Sequence, residues 1–154
     1  MRICVINPNS SKSVTDHLRN TLNKIKRDDC ELTVICPEHG PVSIESAYDE
    51  TIAAFYVMDL VKKANEDGYD AIVLACFSDP GLDAAKEISS IPVIGIEEAT
   101  LHMAAMLGHK FSIMTGMERR IPTRELHITI HGLSQSYASS PALEMSVLEM
   151  DSNP

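Results

Sequence analysis

The sequence lacks the excess of positive charge, the long apolar runs and the closely paired cysteines that define several classes of protein. Its 22 acidic side chains outnumber 13 basic ones, and the formal net charge of -9 repels a phosphate backbone. No apolar run has the pattern of a signal peptide or the length of a membrane span. We therefore predict a cytoplasmic protein whose partner is a small molecule, with no nucleic acid and no membrane.

Cysteine is sparse, and its spacing does not suggest a cross-link or a metal. The chain has four cysteines, at Cys4, Cys30, Cys36 and Cys76. None of them forms a Cys-x-x-Cys pair, which argues against both a zinc site and a disulfide framework. His127 and His131 have helical spacing but lack the glutamate of a His-Glu-x-x-His motif. We therefore predict free thiols and no metal site.

Short apolar runs alternate with helical patterns along the chain. Strands are predicted over residues 2–6, 32–36, 71–76, 92–96, 111–114 and 147–150, and helices over 11–26, 46–65, 81–89, 97–107 and 118–131. Several of these strands are apolar throughout, as strands covered on both faces are. The alternation predicts an α/β fold with a mostly parallel, doubly wound sheet.

The C-terminal residues suggest that the fold is incomplete. The strand predicted over 147–150 is followed by Asp151, Ser152 and Asn153, which are helix-capping residue types, and by Pro154, which suits a first helical position. A helix is thus expected to begin where the sequence stops. A natural frayed terminus is one interpretation. We favour a truncated chain.

Cys76 lies where the third predicted strand gives way to a polar turn and then to a helix, in the segment Leu74-Ala-Cys-Phe-Ser-Asp-Pro-Gly81. Ligands of open parallel sheets bind beyond the carboxyl ends of the strands. A cysteine there lies near helix N-termini, whose dipoles favour the thiolate. Cys76 is therefore a candidate reactive thiol, although the local pattern alone also allows a buried core cysteine.

Polar residues leave three other predicted strands at the same edge of the sheet. Asn9 follows the first strand, Ser43 follows the second, and Thr115 and Gly116 end a later one. Each is also typical of a turn, and Ser43 or Ser46 is suited to cap the second helix. The convergence of these residues with Cys76 on one edge predicts a ligand site.

Charged residues elsewhere are assigned to the surface. Glu97 and Glu98 open a predicted helix, where carboxylates interact favourably with the dipole, so we expect a capping role for them. Arg119 and Arg120 are expected to be solvated.

Four segments taken together resemble the hydantoin/allantoin racemase branch of the aspartate/glutamate racemase superfamily. They are Ile6-Asn-Pro-Asn-Ser10, Gly40-Pro-Val-Ser-Ile-Glu-Ser46, Ala71-Ile-Val-Leu-Ala-Cys-Phe-Ser-Asp-Pro-Gly-Leu-Asp83 and Pro92-Val-Ile-Gly-Ile-Glu-Glu98. The likeness extends from Met1 to at least Arg120 and is most specific around Cys76. It implies a cofactor-independent racemase with two similar α/β lobes, an active site between them and one catalytic cysteine from each lobe.

The resemblance also implies residue roles. Cys76 matches the first catalytic cysteine. The positions that match the substrate pocket are Asn9, Ser43, Ile44, Phe77, Ser78, Thr115 and Gly116. On this basis residues 1–96 form the first α/β lobe, and residues 97–154 form the incomplete beginning of the second, whose exposed surface favours a homo-oligomer.

One departure from the family pattern affects the expected activity. The family has a second cysteine well beyond the first, whereas no cysteine follows Cys76 in this chain. Racemisation of a 5-substituted hydantoin or of allantoin removes a proton from one face of a carbon and returns one to the other face. With one cysteine we expect this activity to be impaired. The alternatives are a single-cysteine decarboxylase or isomerase of the same superfamily, and a non-catalytic small-molecule-binding module.

Overall fold

A computed structural model describes residues 1–152 and shows strands alternating with helices. The strands are β1 (Arg2–Ile6), β2 (Glu31–Ile35), β3 (Ala71–Leu74), β4 (Val93–Gly95), β5 (Phe111–Ser112) and β6 (Tyr137–Ser139). The helices are α1 (Lys12–Ile25), α2 (Ala47–Glu66), α3 (Leu82–Ile88), α4 (Ile96–Leu107), α5 (Ile121–Ile130) and α6 (Val147–Ser152), with a 3₁₀ turn at Glu118–Arg120 before α5. The elements form two compact units, Met1–Ile96 and Glu97–Pro154.

The first unit contains a four-stranded sheet in the order β2-β1-β3-β4, and every pairing in it is parallel. The predicted parallel α/β class is therefore confirmed. In this order the chain moves from β1 to one edge of the sheet and then back to the other side of β1. The carboxyl ends of β1 and β3 thus flank a topological switch point, where open α/β sheets bind their ligands.

The main core of this unit lies on one face of the sheet. Cys4 and Ile6 of β1 point to the same face as Leu74 of β3, and residues of α2 and α3 such as Val57 and Ala85 pack against them. Side chains of alternate residues point to opposite faces, so Val34 of β2 faces the other way, towards α1. Helices on both faces explain why Cys4, Val5 and Ile6 of β1 are consecutive buried apolar residues.

Cys4 is an inert core thiol. It is fully buried in the main core. That burial, with a smaller contribution from the negative charge of Asp67, raises the pKa of the Cys4 thiol to about 11. Cys4 therefore stays protonated at neutral pH, and its burial excludes it from contact with a ligand.

The second unit has its own small parallel pairing and a buried ionic cluster. β5 pairs with β6, which was not predicted because its three residues carry no apolar alternation. Glu97 of α4 is only 1% exposed, and its carboxylate contacts the Arg124 guanidinium at 2.5 Å and the His127 ring at 2.7 Å. Glu97 and Glu98 both lie in the first turn of α4, as expected for carboxylates that favour the helix dipole. The sequence did not reveal that Glu97 also pairs with α5.

The prediction of solvation was wrong for Arg120, which is buried in the same unit. The ionic cluster around Glu97 could not be predicted from residue spacing, because the partners of Glu97 lie on another helix.

None of the helices in the described part of the chain is both long and apolar enough to cross a membrane.

The strand predicted over residues 147–150 is wrong, because these residues belong to α6. The Glu149 carboxylate accepts hydrogen bonds from the Ser146 backbone amide (2.8 Å) and hydroxyl (2.7 Å), and these bonds lower the pKa of Glu149. The Glu149 amide donates back to Ser146 Oγ at 3.2 Å, which completes a capping box. This motif outweighs the β-propensity of Val147. Asp151 and Ser152 already belong to α6, and Asn153 and Pro154 lie outside the described residues.

Candidate active site

Backbone hydrogen bonds draw three loops together at the carboxyl edge of the four-stranded sheet. The Ala75 amide donates to the carbonyl of Ile6 at 2.8 Å, which joins the segment after β3 to the end of β1. The Ser10 amide donates to the carbonyl of Pro41 at 2.9 Å, which joins the loop after β1 to the loop after β2. Within the first unit, the predicted site residues on this edge are Asn9, Ser43, Ile44, Cys76, Phe77 and Ser78.

Cys76 lies in a tight turn beyond the end of β3. Its carbonyl accepts hydrogen bonds from the amides of Ser78 (2.8 Å) and Asp79 (3.0 Å), which fixes the backbone of the turn. Its Sγ atom lies 3.4 Å from Ser78 Oγ. Cys76 and Phe77 are half-buried, whereas Cys4 is fully buried.

Asp79 and Gly95 form a close contact that supports this turn and that the sequence did not reveal. Asp79 has a left-handed backbone conformation, with φ of 43°, which is uncommon for a residue other than glycine. Its side chain is buried against β4, where a Cβ atom at Gly95 would lie 2.1 Å from Asp79 Oδ2. Gly95 is therefore the residue that leaves room for the Asp79 carboxylate.

Gly95→Ala should destabilise the protein by about 2 kcal/mol, because the new methyl group overlaps the Asp79 side chain and forces it to move. Urea denaturation measures this change in the free energy of unfolding. In an Asp79→Gly background the overlap is gone and glycine tolerates the positive φ, so the same substitution should cost much less. Gly108→Ala is the matched control, since a Cβ there meets no atom closer than 3.5 Å. An equal cost of Gly95→Ala in both backgrounds would contradict the proposed contact.

A buried hydrogen-bond network orients the side chain of Asn9. The Asn7 Nδ2 atom donates to Asn9 Oδ1 at 2.8 Å and to Thr15 Oγ1 at 3.0 Å. The Ser11 amide also donates to Asn9 Oδ1, at 2.9 Å. Because Oδ1 accepts two hydrogen bonds, the amide of Asn9 is held with its nitrogen on the opposite side.

The Asn9 nitrogen is consequently a fixed donor that the fold does not use. Asn9 is only 7% exposed, yet its Nδ2 atom has no hydrogen-bond partner among residues 1–152. No fully buried side-chain polar atom in that part of the chain lacks a partner, so Nδ2 keeps access to solvent. A preorganised donor of this kind is suited to stabilise negative charge on a ligand oxygen.

Ser43 and Ile44 lie half-buried in the loop between β2 and α2. The capping role considered for Ser43 belongs to Ser46, whose Oγ accepts the Asp49 amide at 3.1 Å. The Ser43 hydroxyl instead donates to Glu45 Oε1 at 2.8 Å. Ser43 is thus not required to cap α2.

Thr115 and Gly116 belong to the second unit and follow β5, which pairs with β6 in a separate two-stranded sheet. The expectation that they lie on the same sheet edge as Cys76 is therefore wrong. Thr115 is buried, and its amide donates to the carbonyl of Pro141 at 3.0 Å. A Cβ atom at Gly116 would lie 2.7 Å from the carbonyl oxygen of Met145, so glycine allows the close approach of residues 141–145. Within the second unit, the backbone of Thr115 and Gly116 therefore packs against residues 141–145.

Comparison with known proteins relates this chain to one family. The family model for Asp/Glu/hydantoin racemases matches residues 3–154. The hydantoin racemase of Pseudomonas sp. (strain NS671) is 36% identical over all of this chain and 62% of its own length. The hydantoin racemase of Paenarthrobacter aurescens is 41% identical over 77% of this chain and 51% of its own length.

A solved structure of an allantoin racemase has the same fold as this chain. The allantoin racemase of Klebsiella pneumoniae superposes with a TM-score of 0.95 and 37% identity, over 99% of this chain and 62% of that protein. The chain therefore spans between half and two-thirds of the length of the proteins it matches. Sequence, fold and family model agree that the chain belongs to the Asp/Glu/hydantoin racemase family, in its hydantoin and allantoin racemase branch.

Proposed function

We propose that the first unit carries a cofactor-independent proton-transfer site for 5-substituted hydantoins or allantoin, in which Cys76 is the acid–base group. The observation that carries this proposal is the half-buried Cys76 thiol on the same sheet edge as the unused Asn9 amide nitrogen. Proteins with the names hydantoin racemase and allantoin racemase among the relatives support the choice of substrate class. We further propose that residues 1–96 are one lobe of the enzyme and residues 97–154 the beginning of a second.

The chemistry requires a base for the substrate carbon and a donor for the neighbouring oxygen. The pKa of a free cysteine thiol is about 8.5, so a small fraction is present as thiolate at neutral pH. The thiolate is the form that accepts a proton from the substrate carbon. Removal of the proton moves negative charge onto the ring carbonyl, where the Asn9 Nδ2 donor stabilises it. When Cys76 is ionised, Ser78 Oγ, 3.4 Å from the sulfur, is placed to donate a hydrogen bond to the thiolate.

A single cysteine can remove or return a proton on only one face of the substrate carbon. Cys4 is buried and protonated, as described above. Cys36 lines a cleft with α1 residues such as Thr15 and Arg19, and no residue of the Cys76 turn lines that cleft. Cys30 directly precedes β2, at the amino edge of the sheet, opposite the edge that carries Cys76. No cysteine follows Cys76 in the sequence. The chain is therefore proposed to remove and return a proton on the same face, and its ability to invert the centre is impaired.

Deuterium exchange tests this proposal directly. In D₂O, the protein should replace the C5 proton of L-5-benzylhydantoin or of a single allantoin enantiomer faster than buffer alone, as measured by ¹H NMR. Optical rotation, corrected for spontaneous racemisation, should change more slowly than the proton signal. Equal rates of exchange and inversion would contradict the one-face mechanism. Binding without exchange would favour a non-catalytic module, and release of CO₂ from a disubstituted malonate would favour the decarboxylase.

A further inference from the structure

The direction of one hydrogen bond limits what Ser43 can offer a ligand. The Ser43 hydroxyl donates its single proton to Glu45 Oε1 at 2.8 Å. An ionised carboxylate only accepts hydrogen bonds, so the direction of this bond is fixed. Ser43 Oγ therefore retains its lone pairs, and towards a ligand it is an acceptor and not a donor.

The loop that carries this pair is anchored at both ends. The Glu45 amide donates to Asp49 Oδ2 at 3.1 Å, and the Ser46 hydroxyl donates to the same oxygen at 2.7 Å. At the other end of the loop, the carbonyl of Pro41 accepts the Ser10 amide. The Ser43–Glu45 bond thus belongs to an ordered segment, and its orientation is set before a ligand binds.

Asn9 offers a ligand a hydrogen-bond donor, whereas Ser43 offers an acceptor. Its Oδ1 atom is occupied by two donors, and its Nδ2 atom is left to donate. The edge therefore offers one fixed donor and one fixed acceptor. A ring that contains a carbonyl and an N–H group matches such a pair, whereas a ring with its nitrogen substituted leaves the acceptor unpaired.

We propose that Glu45 is a positioning residue that makes Ser43 an obligate acceptor, so that the site selects substrates with an N–H group facing Ser43. This inference rests on the proposed function, because it takes Ser43 to line the substrate pocket. The chemical class it selects is the ureide or hydantoin with that nitrogen unsubstituted. Analogues alkylated on that nitrogen are expected to bind more weakly than the parent ring, although their reacting carbon is unchanged.

Glu45→Gln tests the proposal with little change in shape. The glutamine amide is able to donate to Ser43, and the Ser43 hydroxyl then turns its own proton towards the ligand. Titration by ligand-observed NMR should show binding of the parent hydantoin weakened about 10-fold. Binding of the N1- or N3-methyl analogue that the wild type discriminates against should change less than about 2-fold. The exchange rate at saturating substrate should fall much less than the affinity, because Glu45 acts on binding through Ser43.

Two further variants separate this effect from a general loss of charge or structure. Glu38→Gln removes an exposed carboxylate from the same loop and should leave both affinities unchanged. Ser43→Ala should abolish discrimination between the parent and methylated rings, and Glu45→Gln should add nothing in that background. Equal weakening of both ligands, or no weakening of either, would overturn the inference. If discrimination follows Glu45 but no exchange occurs, the proposed proton transfer by Cys76 fails, whereas the substrate pocket at Ser43 and this inference stand.

Discussion

Replacing Cys76 by serine should lower the rate of deuterium exchange at the substrate carbon by about 10²- to 10⁴-fold, the range expected for the loss of a positioned acid–base group. A serine hydroxyl is far less acidic than a thiol, so it supplies almost no anionic base at neutral pH. The substitution conserves shape. The hydrogen bonds that hold the turn use the Cys76 carbonyl and are retained, so the free energy of unfolding should change by less than about 1 kcal/mol.

Cys36→Ser is the matched control for this experiment, because Cys36 is also a half-buried free thiol but lies in the cleft beside α1. It should leave the exchange rate within about 2-fold of the wild type, since Cys36 has no proposed role in the proton transfer. Alkylation with iodoacetamide, followed by mass spectrometry, should show that loss of activity tracks modification of Cys76 rather than of Cys36. A Cys76→Ser variant with unchanged exchange would exclude Cys76 as the acid–base group.

The positions of β1 to β4 followed from the sequence because each is a short apolar run bounded by turn residues. Their parallel pairing then placed Cys76 and Asn9 near one switch point, since both follow strands at their carboxyl ends. In these segments the apolar runs predict the same strands that the tertiary structure pairs, which is why the positions of the strands could be predicted from the sequence.

The features that sequence did not reveal depend on contacts between distant residues or on competing local signals. Gly95 makes room for Asp79 on another element. Glu97 pairs with Arg124 of a later helix. At the C-terminus the β-branched Val147 suggested a strand, whereas the capping box of Ser146 and Glu149 starts a helix. Hydrogen-bond direction at Asn9 likewise emerges only when the partners of its amide are known.

Asn9→Asp should lower the exchange rate by about 10²- to 10³-fold, comparable to the loss of a single oxyanion donor. The carboxylate has the shape of the amide, and one of its oxygens still accepts the bonds from Asn7 Nδ2 and the Ser11 amide. Its other oxygen replaces the Nδ2 donor. An acceptor then faces the developing negative charge of the substrate oxygen, which it repels instead of stabilising.

Comparison of binding with exchange distinguishes this role from a simple loss of affinity. Because the substrate oxygen becomes charged only as the proton leaves, Asn9→Asp should weaken binding of the neutral substrate far less than it slows exchange. Asn20→Asp adds the same charge on the exposed face of α1 and should change neither quantity by more than about 2-fold. Alkylation of Cys76 in the Asn9 variant should still occur, which shows that the turn is intact. Equal losses in binding and exchange would assign Asn9 to uniform substrate binding, and unchanged exchange would remove it from the proton-transfer site.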